Sequence, residues 1–421
     1  MDDAYDMSCA IIEPSIDESR EKDYDLLPRL LYIGDVAVAA TVAGSTQLYR
    51  LLQRYPRQIL LIAEGNLWMS SPDKRLPHVK YEAFRVGSKR LLLTRFHATY
   101  SCLLYLTATT RKKQLEQTFA EFQPEAIFTV AHGYSWLTAA QMAKLYDLPL
   151  HLVIHDDWVS TQESVLPASV HRKLKRQFGE AYRQAASRLC VSPFMVEDFA
   201  RKYGVGGTVL YPSRAADVPP YQSVPDSPRN ERSLTFAFAG TVNTRGYAES
   251  LTQFAAVLEK VGGMLVVYSN LSADDRHSCG LTGRHITVRP ILPIKELLAS
   301  LREDVDALFV PMSFTAEDAQ NMKVAFPSKL ADYTIAGLPL LIWGPSYCSA
   351  VRWAQENAGV AEVVAAPDAE TLEQSVLNLM TNEHYRRSLG ENALLKGREF
   401  FAHEVAVEKF HQAVRQRTEK K

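Results

Sequence analysis

From Leu30 onward, short apolar segments rich in β-branched and aromatic residues alternate with longer segments of helical periodicity. The short segments are apolar throughout, which is typical of strands buried on both faces of a sheet, and intervening helices make such sheets parallel. The sequence thus predicts an α/β fold, formed once in each half of the chain. The predicted strands are LLYIGD, QILLIAEG, EAIFTVAHG, LPLHLVIHDD, SRLCVS and TVLYP, followed by LTFAFAG, GMLVVYS, ITVRPIL, DALFVPM, LPLLIWG and AEVVAAP.

A segment dense in Pro, Ser and charge, residues 215–233, separates the two sets of strands and has the composition of an interdomain linker. The chain has 421 residues, a length typical of two or three domains. We therefore predict an acidic flexible tail at residues 1–25, one parallel-sheet domain at 26–220, a second at 221–402 and a terminal helix at 403–421.

Composition limits the function and the compartment. Lys plus Arg total 47 against 48 for Asp plus Glu, so the chain lacks the basic excess of a general nucleic-acid binder. The five cysteines show no C-x-x-C spacing, so neither a disulfide framework nor a zinc cluster is expected, and a reducing, cytoplasmic location fits best. The sequence has no signal-peptide pattern and no apolar run of transmembrane length.

The segment VAFPSKLADYTIAGLPLLIWG, residues 324–344, carries the most informative polar residues. Pro327 and Ser328 are typical of a helix start, which puts Lys329 in the first turn, where its charge opposes the helix dipole. Free helix N–H groups with a lysine suit a phosphate, and Asp332 one turn later could accept hydrogen bonds from the hydroxyls of a ribose. The alternative is an ordinary ion pair between Lys329 and Asp332, and spacing alone does not separate the two.

The stretch FPSKLADYTIAGLPLL resembles the nucleotide-sugar segment of GT-B glycosyltransferases of family 4, in which PSKL-x-E-Y-x-x-x-G-x-P is a frequent form. Asp332 stands where that family has the second glutamate of its E-x7-E motif, which binds the donor ribose. The resemblance extends from about Leu30 to Gln416. It implies two Rossmann-like domains facing a central cleft, with residues 26–220 on the acceptor side and residues 221–402 binding the nucleotide sugar.

Two further segments match the donor side of this family. FAFAGTVNTRGY, residues 236–247, is similar to the opening strand and loop of its C-terminal domain, and Arg245 takes the place of a diphosphate-binding lysine. Without the resemblance, Arg245 would be interpreted as a solvated loop residue. Gly44 and Ser45 follow the first strand, where the family places a helix start facing the donor phosphates. An ordinary Ser45 N-cap explains that second segment equally well.

Two histidines end neighbouring predicted strands in the first half. His132 follows AIFTVA, and His155 ends LHLVI and leads into Asp156 and Asp157. From composition alone each histidine is more often structural, and H-D-D is a weak metal signal because no third ligand cluster is evident. In the family both positions recur, with the first histidine near the transferred sugar, so the resemblance implies His132 and Asp156 as catalytic-site residues. Asp156 and Asp157 could orient an acceptor hydroxyl or cap the following segment.

The sequence departs from the family at the first motif glutamate, because the residue eight positions before Asp332 is Val324. Valine neither binds sugar hydroxyls nor stabilises a cationic transition state. Glu317 and Asp318 are near enough in sequence to substitute if their loop folds back.

Two basic stretches have two interpretations. Residues 86–113 flank an apolar core with cations, and residues 169–184 form a basic helical pattern. Both could contact anionic lipid at the inner face of the membrane, and any such contact would be peripheral. The alternative is a core helix with charged ends and a solvated helix face. The cations are Lys89, Arg90, Arg95, Arg111, Lys112 and Lys113 in the first stretch, and His171, Arg172, Lys173, Lys175 and Arg176 in the second.

The resemblance implies a retaining glycosyltransferase of polysaccharide or glycoconjugate synthesis. The donor would be a UDP- or GDP-linked sugar, with no other cofactor and no required metal, and the acceptor a hydroxyl of a glycan, a lipid-linked molecule or a small molecule. No nucleic acid is expected as a partner. The alternative is a non-catalytic glycosyltransferase-like protein that binds sugars or partners. A third hypothesis, a sugar-nucleotide epimerase, fits the PSKLAD segment less well.

Overall fold

The computed structural model describes residues 26–41, 43–66, 70–225, 234–242 and 244–416. Within these ranges the strands form one sheet of seven and one of six. The first contains β1 (Leu30–Gly34), β2 (Leu60–Gly65), β3 (Lys80–Phe84), β4 (Ala126–Val130), β5 (Leu150–Ile154), β6 (Ser187–Cys190) and β7 (Thr208–Val209). The second contains β8 (Thr235–Ala239), β9 (Met264–Tyr268), β10 (Ile286–Arg289), β11 (Ala307–Pro311), β12 (Leu340–Trp343) and β13 (Glu362–Val364).

Helices connect the strands and cover both faces of each sheet. Those of the first half are α1 (Ala43–Leu52), α2 (Lys89–Leu92), α3 (His97–Thr107), α4 (Lys112–Phe122), α5 (Ser135–Leu145), α6 (Trp158–Thr161), α7 (Ala168–Gln184) and α8 (Pro193–Tyr203). Those of the second half are α9 (Arg245–Val261), α10 (Ala273–Ser278), α11 (Ile294–Asp304), α12 (Ala319–Val324), α13 (Lys329–Tyr333), α14 (Ser349–Glu356), α15 (Ala369–Thr381), α16 (Glu383–Phe400) and α17 (His403–Val414). Short 3-10 turns lie at Arg57–Ile59, Pro72–Lys74, Ala108–Arg111, Gln162–Ser164 and Thr334–Ala336.

Both sheets have the strand order of a Rossmann fold. The orders are β3-β2-β1-β4-β5-β6-β7 and β10-β9-β8-β11-β12-β13, and the pairings between these strands are parallel. In each sheet the strand order reverses beside the first strand, which is where such sheets bind ligands, beyond the carboxyl ends of the strands. The predicted α/β fold of two Rossmann-like domains is confirmed.

The twelve apolar segments predicted as strands all contain strands, and the structure adds β3, which the sequence pattern missed. β3 is the edge strand of the first sheet, and within it only Phe84 is buried. A strand with one neighbour and one covered face needs no continuous apolar run, so KYEAF gave no signal of the kind used for the others.

The C-terminal helix crosses back to the first domain. α16 belongs to the second domain, and α17, which begins at His403, packs against α1 and β6. Phe410 lies in the core of the first domain, with its ring centroid 5.1 Å from that of Phe128. The predicted terminal helix therefore completes the core of the other half of the chain, and its last residues, 417–421, lie outside the described residues.

The predicted tail at residues 1–25 also lies outside the described residues, as does part of the predicted linker, residues 226–233. The last strand of the first sheet ends at Val209 and the first strand of the second begins at Thr235. In the described part of the chain, no helix has both the length and the apolar character needed to span a bilayer.

Candidate active site

A cavity of about 600 Å³ lies between the two domains. Its walls are formed by residues that follow β1, β4, β5 and β6 in the first sheet and β8 in the second, together with the segment before α13. Cavities of this size are typical of small-molecule sites, and this one lies where parallel sheets bind ligands. The lining residues are Asp35, Val36, Ala37, Thr41, Gly44, Ser45, Gln47, Ser70, Ser71, Lys89, His132, His155, Asp156, Val191, Thr241, Asn321, Ala325, Phe326 and Ser328.

Both predicted catalytic residues line this cavity and contact each other. Nδ1 of His132 lies 3.3 Å from Oδ2 and 3.4 Å from Oδ1 of Asp156. Burial by itself would lower the pKa of His132, but the Asp156 carboxylate and, more weakly, Asp35 raise it above its ordinary value. Burial would raise the pKa of Asp156, and His132 lowers it below its ordinary value. Each residue thus favours the charged form of the other.

His155 differs from His132 although both end neighbouring strands. Burial lowers the pKa of His155 to about 4, so its ring is neutral at pH 7. A Cβ added at Gly44 would lie 3.6 Å from Nδ1 of His155, which brings the start of α1 against this histidine. Gly44 and Ser45 both line the cavity, as expected, but Ser45 is the third residue of α1 and does not act as its N-cap.

Asp35 is a site residue that the sequence analysis missed. It directly follows β1, and its buried carboxylate accepts hydrogen bonds from the backbone N–H of Tyr134, 2.8 Å, and from the hydroxyl of Ser135, 2.6 Å. Gly133 has a φ of 73°, and a Cβ there would clash with Oδ2 of Asp35. Asp35 therefore fixes the turn after His132, and the available signal was its place at the end of the first strand.

Lys329 is a half-buried residue beside the cavity wall and is not itself among the lining residues. It is the first residue of α13, directly after cavity-lining Ser328, and its Nζ lies 3.9 Å from the centre of the Phe238 ring. Burial lowers its pKa to about 7. No Asp or Glu of the described residues forms an ion pair with it. The ion pair with Asp332 that spacing allowed is not formed, and the ammonium group has an aromatic face as neighbour in place of a carboxylate.

Asp332 pairs with the opposite domain. Its Oδ1 lies 3.1 Å from Nη1 of Arg50, and its Oδ2 accepts a hydrogen bond from Nη2 of Arg50 at 3.2 Å. Burial raises the pKa of Asp332, and the guanidinium of Arg50 offsets part of that rise. Oδ1 is buried and has no hydrogen-bond donor of suitable geometry among the described residues, and Asp332 is not among the residues that line the cavity.

The other predicted donor contact, Arg245, does not lie in the cavity. It is the first residue of α9, its side chain is 89% exposed, and its Nε bonds to Glu249 at 2.6 Å. In this conformation Arg245 is therefore a solvated arginine, which was the alternative to a diphosphate contact. The structure does not bring Arg245 together with Lys329 and Ser328.

The missing motif carboxylate is not replaced in the cavity wall. Val324 is fully buried in the core, and its carbonyl accepts a hydrogen bond from Ser192 of the first domain, 2.8 Å. Glu317 is exposed and Asp318 bonds to Thr315, and neither is among the residues that line the cavity. The carboxylates of the lining, Asp35 and Asp156, both come from the first domain.

A polar cluster beside the cavity joins the domains. Asp157 caps α6 through the N–H of Ser160, 3.4 Å, and pairs with Lys202 at 2.9 Å. Gln320 of the second domain donates to Asp157 at 3.1 Å, so capping and interdomain contact account for Asp157. This leaves Asp156 as the cavity-facing member of the H-D-D sequence. No group of three or more His, Cys, Asp or Glu residues in the described ranges is arranged to hold a metal ion.

Two Rossmann-like domains that face each other across a ligand-sized cavity define the GT-B fold. No protein-family model and no curated protein matches the sequence. Among solved structures, sucrose-phosphate synthase from Thermosynechococcus elongatus aligns with a TM-score of 0.67 at 13% identity, covering 92% of this chain and 98% of that one. HepE from Anabaena, in complex with UDP and glucose, aligns with a TM-score of 0.64 at 11% identity, covering 92% and 99%.

WaaG, a glycosyltransferase involved in lipopolysaccharide biosynthesis, aligns with a TM-score of 0.60 at 13% identity, covering 91% of this chain and 99% of that one. All three align over nearly their whole lengths, so the likeness includes both domains and their arrangement. At these identities the similarity is one of fold.

Proposed function

We propose that this protein is a glycosyltransferase that moves a sugar from a UDP- or GDP-linked donor to a hydroxyl acceptor. The observation that carries the proposal is the placement of Lys329, a half-buried lysine without a carboxylate partner among the described residues, beside a cavity between two Rossmann-like domains. A partly buried ammonium that lacks a counter-ion is stabilised by an anionic ligand, and a diphosphate supplies that charge. The structural neighbour HepE was crystallised with UDP and with UDP-glucose, which supports a nucleotide donor.

The proposed contacts to the donor come from residues that the sequence analysis identified. Lys329 and the N–H groups at Ser328 would hold the diphosphate, and the start of α1 at Gly44 and Ser45 faces the same cavity from the other domain. Oδ1 of Asp332, which is buried in this conformation, would accept a hydrogen bond from the ribose after a local movement opens it to the cavity, while Oδ2 keeps its bond to Arg50. Arg245 would join only if its loop moves toward the cavity, since it is exposed in this conformation.

The chemistry follows from the charges in the cavity. His132, whose protonated form Asp156 favours, would donate a hydrogen bond to the donor sugar or to the acceptor. Lys329 would stabilise the negative charge of the leaving diphosphate, so no metal is required. We propose front-face attack with retention. The bond from the anomeric carbon to the diphosphate oxygen breaks, the acceptor oxygen bonds to that carbon, and its proton passes to the departing phosphate.

The finer assignment is to family 4 of the P-S-K-L type, with the first domain on the acceptor side and a role in polysaccharide or glycoconjugate synthesis in the cytoplasm. The segment FPSKLADY and the position of Lys329 at the start of α13 support this assignment. The buried Val324 in place of the first motif carboxylate means that donor-sugar recognition differs from the usual family pattern.

The test is a binding screen followed by turnover. UDP, GDP and their sugar conjugates are added separately to the full-length protein, and thermal unfolding is monitored, because ligands of the folded state raise its melting temperature. Conjugates that bind are then tested for release of UDP or GDP with a panel of hydroxyl acceptors. A shift with UDP or GDP and acceptor-dependent release are expected. Absence of any shift with both nucleotides would overturn the proposal.

A further inference from the structure

The segment that contains α2 and α3 exposes an unusual number of large apolar side chains. Five of them, spaced over 16 residues, have between 43% and 81% of their surface exposed: Leu91, Leu93, Phe96, Leu103 and Leu106. The opposite side of the same segment packs against the core of the first domain through Leu92, Tyr100, Leu104 and Tyr105. The helices are therefore anchored, and the exposed residues form a fixed apolar surface. Contiguous exposed apolar patches of this kind mark interaction sites.

This finding corrects one interpretation of the sequence. The apolar part of residues 86–113 is not a core helix with charged ends, because about half of its large side chains face solvent. The segment breaks into two helices, Lys89–Leu92 and His97–Thr107, with an exposed connection that contains Leu93 and Phe96. The five exposed apolar side chains of these elements are not covered by other described residues.

Positive charge surrounds the apolar surface. Residues 83–115 contain seven Lys and Arg residues and no Asp or Glu, and of the seven only Arg111 is buried, where it donates to Ser135 and to the carbonyl of Leu104. Lys89, Arg90 and Arg95 are exposed among the apolar side chains, and the guanidinium of Arg95 lies 4.9 Å from the centre of the Phe96 ring. A surface that combines large apolar side chains with cations and excludes carboxylates is complementary to an anionic lipid surface.

The second basic stretch of the sequence is a neighbour of the first. The hydroxyl of Tyr105 in α3 donates a hydrogen bond to Oε1 of Gln177 in α7, 2.6 Å. α7 carries the exposed cations Arg172, Lys173, Lys175 and Arg176, and within it Glu180 is the acidic residue, 3.7 Å from Arg176. His171, counted with these cations from the sequence, is instead buried and bonded to the carbonyl of Val159. Two basic segments that are far apart in sequence thus lie next to each other in the fold.

We propose that the surface formed by α2, α3 and the adjoining basic face of α7 docks on an anionic lipid bilayer, with Leu93 and Phe96 entering the headgroup region. Lys89, at the start of α2, also lines the cavity between the domains, so the docked face adjoins the mouth of the candidate active site. An acceptor anchored in the bilayer would reach the cavity without leaving the membrane. The docking itself does not depend on the proposed transferase activity.

Vesicle co-sedimentation of the full-length protein without nucleotide tests the proposal. Vesicles of phosphatidylcholine alone are compared with vesicles that also contain phosphatidylglycerol. The protein should sediment with the anionic vesicles and release at high salt, as expected of electrostatic attraction to a charged surface. Leu93→Glu should abolish most of the binding, and Arg90→Glu should weaken it about fivefold or more per charge removed. Thermal unfolding of each variant confirms that it is folded.

Matched controls carry the same changes in the second domain. Leu395, 59% exposed on α16, is changed to Glu, and exposed Arg284 is changed to Glu. Neither control should alter vesicle binding. Three outcomes would overturn the proposal: no binding to anionic vesicles, equal loss in the controls, or a dimer that Leu93→Glu dissociates, which would assign the surface to a second copy of the chain. Vesicle binding without any nucleotide-induced stabilisation would instead uphold docking and refute the proposed transferase.

Discussion

Arg50 and Asp332 form an ion pair between the two domains, with one hydrogen bond from Nη2 to Oδ2 at 3.2 Å and a second close approach of Nη1 to Oδ1 at 3.1 Å. Arg50 lies on α1, whose first turn lines the cavity with Gly44 and Ser45, and Asp332 lies on α13, whose first residue is Lys329. The same carboxylate that would bind the donor ribose therefore also holds the domains together. If Asp332 binds the ribose as proposed, donor binding and domain arrangement would be coupled at this pair.

A double-mutant cycle on this pair should show a clear interaction energy. Arg50→Ala leaves a poorly hydrated carboxylate unpaired, so the free energy of unfolding should fall by roughly 1–3 kcal/mol. Asp332→Ala should cost a similar amount, and the double variant less than the sum, with coupling of about 1 kcal/mol or more. Urea unfolding measures all four proteins.

The control for that cycle is the pair Lys295–Asp217, at 3.5 Å with side chains 64% and 62% exposed. Its coupling energy should be within about 0.5 kcal/mol of zero, because exposed pairs contribute little. Equal coupling in the two pairs would contradict the importance assigned to Arg50 and Asp332. Asp332→Ala should also weaken uridine and UDP alike, since both contain the ribose, and unaltered binding of both would refute the ribose assignment.

Lys329→Ala should weaken the binding of nucleoside diphosphates but not the binding of nucleosides. Loss of one charge-assisted contact should weaken UDP or GDP roughly tenfold to a hundredfold and leave the matching nucleoside within about twofold. Isothermal titration calorimetry measures both ligands. Lys295→Ala, which removes an exposed lysine of the same domain, is the control. Equal loss of nucleoside and nucleotide affinity would mean that Lys329 does not bind the diphosphate.

Nucleotide affinity should depend on pH through Lys329. Burial lowers its pKa to about 7 in the free protein, and a bound diphosphate would raise that pKa, so binding takes up a proton above pH 7. From pH 7.5 to 9 the affinity for UDP should fall by up to about tenfold per pH unit, while the terminal phosphate stays ionised. Lys329→Met should remove this dependence. A pH-independent affinity in the parent protein would contradict the proposed contact.

The His132–Asp156 pair should be visible in histidine titrations by NMR. The pKa of His132 is raised because the Asp156 carboxylate outweighs burial, whereas burial lowers the pKa of His155 to about 4. Asp156→Asn removes the carboxylate, so burial should then take the pKa of His132 below its ordinary value. Glu391→Gln, an exposed change in the second domain, should leave it unaltered.

The His132–Asp156 pair should also make the stability of the protein depend on pH. A histidine whose pKa is raised on folding contributes stability that is present below its unfolded pKa and is lost as pH rises through its folded pKa. The destabilisation by Asp156→Asn should therefore be largest at pH 5 to 6 and smaller at pH 8, measured by thermal unfolding. If Asp156→Asn destabilised the protein equally at pH 5 to 6 and at pH 8, Asp156 would not be the group that raises the pKa of His132.

Restoring the family carboxylate at position 324 should fail. Val324 is fully buried, so Val324→Glu places an unpaired carboxylate in the core and should cost about 3 kcal/mol or more of stability. Val324→Ile, which adds one methylene, should cost roughly 1–2 kcal/mol and serves as the control. A Val324→Glu protein of native stability with faster donor turnover would show that this side chain can reach the donor sugar after all.

Much of the fold and part of the site were predictable from local patterns. Continuous apolar runs gave twelve strands of the two sheets, because a strand buried on both faces must be apolar throughout. The sequence also placed His132 and Asp156 at strand ends, and the carboxyl ends of parallel strands meet at one edge of a sheet. Asp35 stood at an equivalent position and was overlooked, although its strand was recognised.

Only the tertiary structure decided which partners these residues have. Lys329 and Asp332 are three residues apart and could have paired, yet Asp332 bonds to Arg50, 282 positions away, because the docking of the domains brings α1 against α13. Likewise, sequence composition left Leu93 and Phe96 undecided between core and surface, since the same apolar residues suit both. Their exposure, and the closeness of two basic segments, follow from how the helices pack on the first sheet, which no local pattern specifies.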